Sequence, residues 1–214
     1  MYRKHPSGEL GELFALKPYQ GAAPREAHFL FVGLDANYDE AIGSAPIFSK
    51  VIEYHSDGVA FWRKYGVHHP FLLPGYLGNG RRYHRTFARA GFTPAHAHLV
   101  SFVELLNVPT VGRNVLVPSD LAKTHLEWLD DIIRRGSARH IFISDKVARL
   151  MRASRLFPWV PPVPHQGLGP LATWFREGAK IVYSHLHFSV YGKFERRLAS
   201  ELAAIRTLLP AMAE

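Results

Sequence analysis

The chain has 214 residues, 47% of them hydrophobic, enough for one domain with a substantial core. It has no cysteine, which excludes disulfides, thiol catalysis, thiolate-bound zinc and cysteine-ligated iron–sulfur clusters. Lys and Arg number 26 against 18 acids, a formal charge of +8 that points to a polyanionic partner.

No apolar run approaches the ~20 residues of a membrane-spanning helix. The start, "MYRKHPSGEL", is basic but has no apolar stretch behind it, so no secretory signal is expected and the location reads as cytoplasmic. Residues 1–25 are rich in Gly, Pro and charge and are expected to wrap the surface of a single domain over 26–214.

The first predicted strand is "HFLFVGL" (28–34), apolar without alternation, as in a strand covered on both faces. It ends in a Gly33 turn followed by Asp35, Asn37 and Tyr38. "PIFSKVIEYHSDGVAFWRKYG" reads as a helix interrupted or ended near Gly58, and "GRRYHRTFARAG" as a short basic helix. The second strand, "HLVSFVEL" (98–105), leads to Asn107 and Arg113. "SDLAKTHLEWLDDIIRRG" is the clearest helix, with Ser119 as its expected N-cap and Gly136 as its stop. Strand "RHIFIS" (139–144), helix "DKVARLMRASRLF", a proline-rich surface loop (157–170), strand "KIVYSHLHF" (180–188) and helix "GKFERRLASELAAIRTLL" complete the chain. Alternation of strand and helix predicts an α/β fold with a mostly parallel, four-stranded sheet and helices on both faces.

In such a sheet ligands bind at the C-terminal strand ends, where Asp35, Asn107 and His187 fall. Asp35 could orient water, act as a base or stabilise positive charge; as a lone residue it reads first as a turn or cap aspartate. Asn107 offers the donors and acceptor that suit a nucleobase edge, or an ordinary turn amide. His185 and His187 share a face, as metal ligands or hydrogen-bond donors; His96, His98 or Asp35 could supply a third ligand. Basic residues interleave with aromatics in "FWRKYG", "GRRYHRTFARAG" and "YGKFERR", as in surfaces that hold phosphates and stack bases, or merely as solvated helix faces.

Taken in order, "GLDANY", "APIFSK", "ELLNVPTV" and "HFSVYGK" resemble the motifs of the uracil-DNA glycosylase superfamily. The resemblance spans about residues 28–197 in short pieces. It implies a three-layer α/β/α sandwich and hydrolysis of the N-glycosidic bond of uracil or another modified base flipped out of DNA. Asp35 and His187 take the catalytic places. Phe48 takes the place of the base-stacking phenylalanine and Asn107 that of the base-reading asparagine. Asn37 and Tyr38 lie beside the base. Asn37 stands where the best-known branch has a tyrosine that excludes a 5-methyl group, which implies tolerance of a larger base. Ser189, Tyr191, Lys193 and Arg113 take DNA-contacting places. The resemblance implies no metal or organic cofactor, DNA as partner, no membrane and a monomer. Three readings compete with it: a non-catalytic nucleic-acid binder of the same fold, a histidine-ligated metal-dependent hydrolase, and an N-glycosidase of free nucleosides.

Overall fold

The computed structural model describes residues 2–112, 115–167 and 169–210. Its first strands are β1 (Tyr19–Gly21) and β2 (Phe29–Gly33). A two-stranded ribbon pairs β3 (Asn37–Tyr38) with β5 (Thr110–Val111), apart from the main sheet. The main sheet continues through β4 (Val100–Glu104), β6 (His140–Ser144), β7 (Ala172–Glu177) and β8 (Lys180–His185). Its order is β1-β4-β2-β6-β8-β7.

The four apolar runs form the centre, β4-β2-β6-β8, and every neighbouring pair there is parallel. The sheet nonetheless has six strands rather than the expected four. Both extra strands are antiparallel edges, β1 on β4 and β7 on β8. Edge strands are partly solvated and need no continuous apolar run, so they carry a weak sequence signal. In β7 the register also shifts between Thr173 and Phe175, which breaks the two-residue period further.

The central strands lack polar alternation because they alternate in shape instead. In β2, Phe29 and Phe31 join an aromatic core with Phe87, Phe92, Phe102, Phe142 and Phe188. Leu30 and Val32 point the other way, into an aliphatic core with Leu129, Ile132, Ile133 and Met151. Phe31 stacks on Phe142 with ring centroids 4.7 Å apart.

Helices cover both faces. α1 (Gly8–Leu16) and α2 (Phe48–Ser56) bring Leu10, Phe14 and Val51 to a third apolar cluster. α3 (Gly58–Tyr65) and α4 (Arg81–Ala88) supply Trp62 and Phe87 to the aromatic face. Asp57 separates α2 from α3 by accepting a hydrogen bond from Ala60 N at 2.9 Å, an N-cap that explains the break near Gly58. α5 (Lys123–Arg135) and α6 (Asp145–Ser154) pack on the aliphatic face. α7 (Glu195–Thr207) returns to the aromatic one through Leu198, Leu202 and Ile205.

α5 starts four residues later than its expected cap. Ser119 lies in a 3-10 turn, where Asp120 instead accepts a bond from Val117 N at 2.9 Å. Residues 1–25, expected to wrap the surface, carry a helix with buried Leu10 and Phe14 and the edge strand β1. Among the described residues no helix is long and apolar enough to cross a membrane.

Candidate functional site

The C-terminal ends of β2, β4 and β8 meet at a cavity of about 320 Å³. Asp35 follows β2, Glu104 ends β4, and His187 lies two residues past β8; all three line the cavity. Tyr38, Phe71 and Tyr83 supply aromatic wall, and His69 and His84 add ring nitrogens.

Gly33 owes its place to this convergence rather than to a tight turn. The parallel register sets Gly33 opposite Glu104, and a Cβ at position 33 would sit 1.9 Å from Glu104 Oε2. The missing side chain is the space the carboxyl occupies. Gly33→Ala is therefore expected to push Glu104 out of place and to cost roughly 1–3 kcal/mol, read from urea denaturation.

Asp35 is held from behind. The Thr110 hydroxyl donates to Asp35 Oδ2 and in turn accepts from Asn37 Nδ2 at 3.1 Å. Asn37 also donates to the Gly112 carbonyl at 2.6 Å. The β5 segment is pinned from the N-terminus, where His5 N donates to Pro109 O at 2.9 Å and Val111 N to Arg3 O at 3.1 Å. Thr110 is fully buried, so the relay is rigid.

Glu104 titrates unusually. Burial, reinforced by the neighbouring Asp35 charge, pushes its pKa up to about 8. Two adjacent carboxyls thus differ in environment, and Glu104 carries its proton at neutral pH. Burial and the Glu104 charge also push the Tyr38 and Tyr83 phenols well above their ordinary range.

His187 stands at the rim. Ser189 N donates to its Nδ1 at 3.3 Å, which leaves the proton of the neutral ring on Nε2. Burial and then the Lys146 charge lower its pKa, against a smaller pull from Asp35, so the neutral donor form prevails at pH 7. Glu201 fixes the segment by accepting from Leu186 N at 2.7 Å. His185, the other candidate, is buried and donates from Nδ1 to Leu186 O at 2.7 Å. It supports the loop and does not line the cavity.

His69 and His84 stack with centroids 3.5 Å apart and nearly parallel planes. Burial holds both well below the usual imidazole range, and His84 falls to about 3. Two rings this close tolerate each other because both are neutral.

Several expected positions fall elsewhere. Phe48 opens α2 and packs against the third apolar cluster, outside the cavity lining; Phe71 lines the cavity instead, stacked on Tyr76 at 4.2 Å. Asn107 is also outside the lining. Leu105 and Leu106 bond back to the Gly33 and Leu34 carbonyls and bury in the core, which carries Asn107 past the edge and leaves Glu104 at the strand end. Asn37 lines the cavity, but its amide protons are engaged with Thr110 and Gly112. Ser189 lines it as expected. Tyr191 is 69% exposed with the Arg82 guanidinium 4.9 Å from its ring centroid, and Lys193 is exposed beside Phe194. Arg113 lies outside the described residues.

His96 and His98 precede β4, at the opposite end of the sheet from His187, and His96 accepts from Thr93 N at 3.1 Å. Among the described residues no group of three or more His, Asp or Glu could hold a metal ion. Comparison of the chain with models of protein families, with curated proteins and with solved structures finds no match.

Proposed function

We propose that the chain is an N-glycosyl hydrolase of the DNA glycosylase type, acting on a nucleobase turned out of DNA. The observation that carries this reading is the meeting of Asp35, Glu104 and the neutral His187 in one aromatic-walled cavity at the strand ends. The helices on both sheet faces are compatible with the three-layer sandwich implied by the resemblance.

The sugar of an extruded nucleotide would face Asp35. As the C1′–N bond lengthens, positive charge grows on the sugar and negative charge on the base. Asp35, oriented by the Thr110 hydroxyl, stabilises that cation and receives a proton from the attacking water. His187 Nε2–H donates to the departing base. Phe71 and Tyr83 offer it stacking surface in place of Phe48. Outside the cavity, the exposed Arg82–Tyr191 pair and Lys193 suit the phosphates and bases flanking the gap.

The test is a panel of duplexes bearing single uracil, hypoxanthine, xanthine or mismatched bases, scored for alkali-labile abasic sites. Release of at least one base is expected, with His187→Ala slower by roughly 10²-fold. DNA binding without release from any duplex would support the non-catalytic binder instead.

A further inference from the structure

We propose that Glu104 is the general acid of this site, donating its proton to a ring nitrogen of the departing base, and that the base is therefore a purine. The inference rests on the N-glycosyl hydrolase reading and deepens it.

The geometry comes first. Glu104 is seated by register against Gly33, whose missing side chain leaves room for the carboxyl, and it lines the same cavity as Asp35. His125 Nε2 on α5 donates to the Glu104 backbone carbonyl at 2.8 Å and holds that strand end in place. The titratable groups that face the carboxyl are Asp35 after β2, Tyr38 on β3, Tyr54 on α2 and Tyr83 on α4. Among the described residues, no cation is among the groups that shift its protonation. The surroundings favour the protonated form, consistent with a pKa near 8.

A protonated carboxyl needs a lone pair to receive its proton. Uracil and thymine offer it only weakly basic carbonyl oxygens beside an N–H and leave as delocalised anions that need no proton, and cytosine offers the single ring nitrogen N3. A purine offers N7 and N3. Asn107, the amide suited to a uracil edge, is outside the cavity lining.

The step balances as follows. The C1′–N9 bond breaks and its electron pair moves into the purine. The Glu104 proton passes to N7, so the base leaves neutral. Water oxygen bonds to C1′ and gives a proton to Asp35. The products are the free purine and an abasic sugar. The two carboxyls have exchanged protonation, and transfer of one proton from Asp35 to Glu104 restores the start.

The experiment uses the full chain on duplexes carrying one hypoxanthine or one uracil, with wild type, Glu104→Gln and Gly33→Ala, each checked for a cooperative unfolding transition. Wild type is expected to release hypoxanthine at a rate that falls above about pH 8; Glu104→Gln is expected to be about 100-fold slower and to lose that fall. Gly33→Ala, which keeps the carboxyl but displaces it, is expected to slow release as well, so the idea stays testable if one variant fails to fold. Hypoxanthine release by Glu104→Gln within about threefold of wild type overturns the role of Glu104 and leaves the hydrolase reading standing. Release of uracil alone does the same. No release from either duplex by wild type overturns the inference, and no release from any duplex of the wider panel overturns the reading beneath it as well.

Discussion

Replacing Asp35 with asparagine is expected to lower base release by roughly 10³-fold while leaving the fold intact. The substitution keeps size and shape, and the Thr110 hydroxyl can still donate to an amide oxygen at that position. What disappears is the negative charge beside the sugar and the acceptor for the water proton. Single-turnover kinetics on the duplex that wild type cleaves best would measure it. A drop below about tenfold would remove Asp35 from the reaction, since neither loss could then matter to the barrier. Thr110→Val should reproduce part of the defect by loosening the hold on the Asp35 carboxylate while leaving its charge in place.

Replacing Glu104 with glutamine is expected to stabilise the protein, and by an amount that grows with pH. An acid whose folded pKa exceeds its unfolded value binds more protons when folded, so its ionisation opposes folding. Between the ordinary value of 4.5 and about 8, wild-type stability should fall relative to the variant. Below that window the protonated carboxyl and the amide are nearly equivalent and the two proteins should match. At pH 8 the variant should be more stable by up to about 4 kcal/mol. Urea denaturation at pH 5 and pH 8 checks this. An unchanged gap between the two proteins would mean that Glu104 titrates normally and that its surroundings are not as described. A gain in stability with a loss of release is the pattern expected where an ionisable group is held in an unfavourable place for the sake of chemistry.

The centre of the sheet was legible because its strands are covered on both faces. Continuous apolar runs such as "FLFVG" leave few other conformations that bury every residue. The helix break near Gly58 and the stop at Gly136 were legible from the glycines, and the structure adds Asp57 as the cap at the break. The edge strands were not, because half of each is solvated and β7 carries a register shift.

The site divides along the same line. Asp35 and His187 follow directly from strand ends, and those ends are set by local hydrophobic pattern. Thr110, Glu104, Phe71 and His84 do not. Thr110 reaches the site only through its bond to Asp35, and the other three enter the cavity through packing: Glu104 against Gly33, His84 in its stack on His69, and Phe71 in its stack on Tyr76. "ELLNVPTV" contains both Glu104 and Asn107, and nothing local decides which one faces the cavity.

The sequence by itself determined that this is an α/β chain with four parallel central strands, and that a carboxylate and a histidine would stand at their C-terminal ends. Burial of apolar runs and short-range capping are enough for that. Only the tertiary structure decided which groups join them. A one-residue parallel pairing sets Gly33 against Glu104, and two buried leucines then carry Asn107 away from the cavity. Register is a property of two strands together, and no reading of either one alone contains it.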